Sequence, residues 1–176
     1  MKLSITESGV VFGEFEEDDF FGIEKALIKH RFDQKGVKSV EFIVRQQHLN
    51  KPLVSLVEAR SSVPRQPDAF FEEIRLKLQH TLIIWFCAVS GRHSALTEEL
   101  PENLSLAETL KLPLRLILVV PALPDAHIVP MTDAFRAVLR LDCRLWGIDQ
   151  SAVFVLNKSR AARLGLVEAL VAPTSH

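Results

Sequence analysis

Tyrosine is absent from the 176 residues, cysteine occurs twice and glycine seven times, and no apolar run approaches the length of a bilayer span. The most apolar window, "TLIIWFCAVSG", is too short to cross a membrane, and the opening stretch "MKLSITESGVVFGEFEEDD" lacks the apolar core of a signal peptide. A cytoplasmic protein with no membrane partner is expected. Cys87 and Cys143 both fall in apolar helical patterns and read as reduced core thiols rather than a disulfide. The six histidines and two cysteines show no close zinc spacing. Neither a glycine-rich phosphate loop nor a Gly-x-Ser-x-Gly elbow is present, which removes the usual nucleotide and serine-hydrolase signatures. Charge of one sign is lacking too: the formal net charge is −1, so nothing global steers the chain to nucleic acid or membrane, although a local basic patch stays open. Phenylalanine numbers 11 where tyrosine has none, and composition gives no physical reason for it.

What is present is ordinary globular composition, 48% hydrophobic and 24% charged, in a chain of a length that suits one domain, residues 1–176. "GVVFGEF" (Gly9 to Phe15) reads as a strand, and the acids from Glu14 to Asp19 as the opening of a helix, where negative charge is favoured. Phe20, Ile23 and Leu27 form the apolar stripe of that helix, with Glu24 on its edge. "VKSVEFIVRQ" (Val37 to Gln46) alternates as a strand, with Val40, Phe42 and Val44 on one face and Ser39, Glu41 and Ile43 on the other. Turn residues in "HLNKP" suggest a hairpin to Leu53–Arg60. "SSVPRQPD" breaks the pattern before a long helix, Phe70 to Ser90, on which Phe71, Ile74, Leu78, Leu82, Trp85 and Val89 make the core stripe. Arg75, Lys77, Gln79 and His80 lie mostly off it, and Gly91 is the stop. After a polar connector come an inner strand (Leu114 to Val120), a helix "MTDAFRAVLRLDCRLWGI" capped by Thr132, the strand "SAVFVLN" and a short closing helix in "KSRAARLGLVEAL". Strands, a long helix, then strand–helix–strand make an α/β domain: a mixed central sheet flanked by helices.

The stretch "LVSLVEARSS" breaks its own rule. Val54, Leu56, Glu58 and Arg60 share one face of a strand, so an acid and a base stand where apolar residues belong. A charge out of water is costly unless it is paired or binds a metal. Glu58 and Arg60 are therefore a structural ion pair, with each other or between Arg60 and Glu41, or part of a site. Glu24 on the first helix and Glu41 on the partner strand supply two more acids, though Glu24 alone also reads as a solvated helix acid. Magnesium and manganese take hard oxygen ligands, and carboxylates on adjacent strands can converge on one ion, with a nearby cation to position water or stabilise charge on phosphate.

Helix acid, strand acid, then acid-x-base on the next strand, followed by a long helix, resembles the PD-(D/E)XK nuclease superfamily. More closely, "FFGIEKA", "GVKSVEF" and "LVEARSSVPR" resemble a family of small uncharacterised bacterial proteins. Its pattern is Ile-Glu-Lys-Ser, Val-Glu-Phe and Glu-Ala-Lys-Ser-Ser-x-Pro, and the resemblance is firmest from Gly9 to Val89. It implies a restriction-endonuclease-like core. It also implies catalytic residues Glu24, Glu41, Glu58 and Arg60, with Glu41 and Glu58 as ligands of Mg2+ or Mn2+. Arg60 replaces the family lysine: arginine can orient water or clamp a phosphate oxygen, but it stays charged and cannot act as a base. Glu41 stands at the usual Asp position, one methylene longer, and Ala26 stands where the family has serine. The implied function is metal-dependent hydrolysis of phosphodiester bonds in nucleic acid, impaired to whatever degree Arg60 falls short of lysine. The alternative is a binding or regulatory domain, with a protein partner, that keeps the fold without the reaction. "KSRAARLG" is basic and reads as a solvated helix face more readily than as a phosphate contact.

Overall fold

A computed structural model of the chain describes residues 1–65 and 67–167. Seven strands and six helices alternate along it: β1 (Lys2–Glu7), β2 (Val10–Glu16), β3 (Phe20–Phe21), α1 (Ile23–Lys29), β4 (Phe42–His48), β5 (Lys51–Ala59), α2 (Pro67–Val89), α3 (Ser94–Thr97), α4 (Glu102–Ser105), β6 (Leu114–Val119), α5 (Asp125–Trp146), β7 (Val153–Leu156) and α6 (Lys158–Arg163). β3 to β7 form one five-stranded sheet in sequence order, while β1 and β2 form a separate antiparallel hairpin. The β3–β4 and β4–β5 pairs are antiparallel and the β5–β6 and β6–β7 pairs parallel, so the sheet is mixed and flanked by helices, as the element pattern implies. Among the described residues no helix is long and apolar enough to cross a membrane.

Two apolar cores lie on opposite faces of this sheet. Val54, Leu56, Leu116 and Leu118 point to one, with Phe71, Ile74, Leu78, Leu82 and Trp85 of α2 and Phe135, Leu139 and Cys143 of α5. Phe42, Val44, Val57, Ala59, Ile117 and Val119 point to the other, against Val10, Phe12 and Phe15 of the hairpin and Ala161 of α6. β5 is covered on both sides, which explains its unbroken buried run from Leu53 to Ala59. Each fully buried Leu, Ile or Phe here contributes about 1.5–3 kcal/mol. Parallel crossovers are right-handed, and β5, β6 and β7 advance in one direction, so α2 and α5 fall on the same face. α2 bears the expected stripe and ends near Gly91, whose φ of 70° suits glycine. Leu49 and Asn50, both with positive φ, make the two-residue turn between β4 and β5.

Four local expectations are corrected. The acids Glu17 to Asp19 form a separate turn before β3 and do not open α1. Val37 to Val40 are not strand: the Lys38 amide donates to His80 Nδ1 (3.1 Å) and the Val40 amide to Thr81 Oγ1 (3.0 Å), which draws the segment toward α2. Val40 accordingly joins the α2 core instead of the face of Phe42 and Val44. α5 starts at Asp125, and Pro130 lies inside its second turn, so Thr132 is no cap. Thr132 Oγ1 accepts instead from the Val155 amide (3.2 Å). The closing helix covers Lys158–Arg163, and the end of the expected stretch lies outside the described residues. Both cysteines are free thiols.

The two edges of the large sheet differ. β3 is two residues long. On β7, Leu156 O accepts from the Val120 amide on the inner side, while Val153 and Val155 direct their backbone groups outward. There Arg136 Nε donates to Val153 O (3.2 Å) and Thr132 Oγ1 accepts from the Val155 amide.

Candidate active site at the carboxyl end of β5

The site is assembled by strand direction. β5 ends with Glu58 and Ala59; β4 runs antiparallel and begins at the same end. Phe42 pairs with Val57, and the Glu41 amide extends that ladder by donating to Val57 O (3.1 Å). Glu41 therefore stands beside Glu58, and the Glu24 amide, in the first turn of α1, donates to Glu41 O (3.5 Å). Glu58 continues the face of Val54 and Leu56 under α2 and is fully buried. Its backbone partner is Leu118 of β6, an apolar neighbour that offers its charge nothing.

The charge is answered from α2. Lys77 Nζ donates to both Glu58 oxygens, at 2.9 and 3.1 Å, and lies 3.8 Å from Glu24 Oε1. Arg60 Nε is 2.8 Å from Glu58 Oε1, but its angle falls short of a hydrogen bond, so that contact is purely ionic. Arg60 Nη2 donates to Glu73 Oε1 at 2.7 Å. Glu73 and Lys77 are one turn apart on α2, Glu58 and Arg60 two residues apart on one strand face, and the signs match crosswise.

Electrostatics divides these acids. Burial pushes the Glu58 carboxyl up from its ordinary value, against the opposing pull of Lys77 and Arg60. Glu73, hydrogen-bonded to Arg60, is held below the usual carboxylate range. Glu41 is pushed up to about 8 by burial, then by its hydrogen bond with the Glu24 carboxyl and the charges of Glu58 and Glu24, with Lys77 opposing. Only two buried side-chain polar atoms among the described residues lack a hydrogen-bond partner: Arg60 Nε, and Ser39 Oγ two residues before Glu41.

All four residues expected from sequence, Glu24, Glu41, Glu58 and Arg60, meet at this end of the sheet. Arg60 pairs with Glu58 and Glu73, not with Glu41. Lys77 and Glu73 were not expected. Lys77 was read as lying off the apolar stripe, yet it is buried. The available signal was its spacing: Lys77 sits three residues from Ile74 and four from Thr81, both buried, so the covered face of α2 is wider than its apolar residues.

The donors suit a hard divalent ion in kind. Among the described residues no group of three or more His, Cys, Asp or Glu side chains forms a cage that could hold a metal ion. Magnesium needs no such cage, because one or two carboxylates with water and substrate oxygens suffice. Glu41 and Glu58, side by side at the end of adjacent strands with Glu24 close to both, could supply those carboxylates. Glu58 retains acceptor capacity on Oε2, which meets only Lys77.

No protein-family model matches the chain. No curated protein matches it in sequence. Among solved structures it is similar to the restriction endonuclease FokI, at 8% identity and a TM-score of 0.41, over 76% of this chain and 22% of that one. At that distance the similarity assigns the chain neither a family nor an activity.

Proposed function

We propose that residues 1–176 form one nuclease-like domain that hydrolyses phosphodiester bonds in nucleic acid with the help of Mg2+ or Mn2+. The observation that carries this reading is the meeting of Glu24, Glu41 and Glu58 with the Lys77 ammonium, 2.9 Å from Glu58, at one end of the sheet. Glu41 and Glu58 would hold the ion, with Glu24 beside them; when bound, it would polarise the phosphate and lower the pKa of a water. The ammonium of Lys77 answers the main departure from the superfamily pattern. It reaches the same carboxylate from α2 that a lysine at position 60 would reach from the strand. Lys77 would orient the attacking water against Glu58, and Arg60 would meet the negative charge that builds on phosphate. Arginine at position 60 is then no obstacle to hydrolysis.

A second reading has its own support. Glu58–Lys77 and Glu73–Arg60 satisfy one another, as in a binding or regulatory domain with an internal ion-pair lattice. Calorimetric titration with MgCl2 and MnCl2, followed by incubation of labelled DNA and RNA with each metal, separates the two. Heat of binding and metal-dependent cleavage that vanish in Glu41→Gln support the enzyme. An absence of both supports the binding domain.

A further inference from the structure

Arg60 holds more donor capacity than the fold uses. A guanidinium carries five N–H donors in a rigid fork, and among the described residues only the bond from Nη2 to Glu73 meets hydrogen-bond geometry. Its approach to Glu58 is misaligned, and Glu58 already has Lys77 on both oxygens. Glu73 is a different kind of partner: its side chain is 41% exposed, that of Arg60 30%. Pairs open to water to this degree are weakly held. Arg60 is thus fixed at its base by β5, where its amide donates to Val119 O (2.9 Å), and free to exchange at its tip.

We propose that Glu73 occupies the position of a phosphate oxygen on Arg60, so that a docking phosphodiester displaces Glu73 and takes the guanidinium. The ligand class rests on the proposed function; the exchange does not require hydrolysis. A phosphate offers two oxygens to the fork where Glu73 offers one, and charge-assisted bidentate pairing favours the exchange. Glu73 acts on the substrate only through Arg60 and is a positioning residue. It also excludes anions that cannot compete with a tethered carboxylate. The Lys38 charge, which reaches Glu73 as well, gives the released carboxylate a second partner.

The test is binding of a labelled 20-base-pair DNA duplex, measured in EDTA across a salt series, to four proteins: wild type, Glu73→Gln, Arg60→Met and the double variant. Circular dichroism and urea unfolding establish that each is folded, and Arg60→Gln substitutes for Arg60→Met if the latter is not. Glu73→Gln should tighten binding about tenfold, the scale of one charged hydrogen bond. Wild type and Glu73→Gln should share one logarithmic salt slope, and Arg60→Met should lower it by about 0.9, the loss of one phosphate contact. In the Arg60→Met background the same change should do nothing. Equal tightening in both backgrounds would mean simple loss of a negative charge and would overturn the exchange, as would a Glu73→Gln protein that binds no DNA. If wild type never cleaves while the gain still depends on Arg60, the exchange stands and the hydrolytic reading falls.

Discussion

α2 carries two charge clusters on different faces, and they are built on opposite terms. On the side facing α5, Asp142 is buried and both its oxygens are taken, Oδ2 by Arg75 Nε and Oδ1 by Gln79 Nε2, each at 2.6 Å. Arg75 then reaches Glu72 with Nη1 at 3.1 Å. Every buried oxygen has a donor, and no further acid is within the cluster. On the side facing the sheet, Glu73 and Lys77 meet Arg60, Glu58, Glu41 and Glu24. There Glu41 is pushed up to about 8 by burial and its acidic neighbours, one guanidinium nitrogen lacks a proper acceptor, and four acids meet two bases. Buried polar groups in folded proteins are normally satisfied, so an unsatisfied surplus needs a cause. Asp142 joins two helices; under the proposed function the β5 cluster would admit a cation and an anion.

Substitutions that remove one partner should separate the clusters most strongly. Lys77→Met leaves the fully buried Glu58 with only the misaligned Arg60, and urea unfolding at pH 8 should show a loss of about 3–5 kcal/mol. The loss should shrink toward pH 5, because a protonated Glu58 needs no counter-charge. Metal-dependent cleavage should disappear as well. A Lys77→Met protein as stable as wild type at pH 8 would show that the ammonium does not compensate Glu58.

Asp142→Asn should cost less, about 1–3 kcal/mol, since Arg75 is partly exposed and an amide can still accept from Gln79. It should leave metal binding untouched in calorimetry. Loss of metal binding would mean that the two clusters act as one.

The pH dependence of the metal-free protein comes next. Glu41 holds its proton up to about pH 8 when folded, whereas an unfolded glutamate releases it near its ordinary value of 4.5. Between those values the native state binds more protons than the unfolded state, so stability falls as pH rises and levels off above about 8. Burial acts on Glu58 in the same direction. Thermal melts in EDTA should show a lower Tm at pH 8 than at pH 6, and Glu41→Gln should flatten that slope. Added Mg2+ or Mn2+ should raise Tm more at pH 8, where Glu41 begins to release its proton. A slope unchanged in Glu41→Gln would assign the effect to other groups.

Smallest of all should be Arg60→Lys. An ammonium can still meet Glu73 at a partly open position, and Lys77 continues to hold Glu58, so stability should change by less than about 1 kcal/mol. Cleavage should fall far less than in Lys77→Met. The reverse ranking would return the principal role to position 60.

Much of this contrast was legible in the sequence, and its limits have physical causes. Period-2 alternation put Glu58 and Arg60 on the face of Val54 and Leu56, and helical spacing put Phe71 through Trp85 in the core. Both signals come from burial, which leaves a regular trace. The element pattern implied a mixed sheet but no strand order, because β5 and β6 pair across a long connection that carries α2, α3 and α4. Lys77 escaped because a lysine on the flank of an apolar stripe looks the same whether it ends in water or on a buried carboxylate. Only the fold decides that, by setting α2 across the end of β5. Thr132 was misread because a threonine just before a helical apolar pattern looks like a cap, whereas α5 already runs through Pro130 from Asp125. β1 alternates along its length, but Leu3 and Ile5 are its only apolar residues and neither is fully buried, and β3 is too short for any period.

The side chains that occupy the outer border of β7 have a consequence for how copies of the chain behave when crowded. An open border of a sheet is a template, and a second molecule can extend it strand by strand into dimers or fibrils. Arg136 and Thr132 occupy two of the groups that such a newcomer would pair with, and at the far border β3 offers a template only two residues long. A neighbouring copy would have to displace these side chains before it could extend the sheet, so crowding alone favours its growth little.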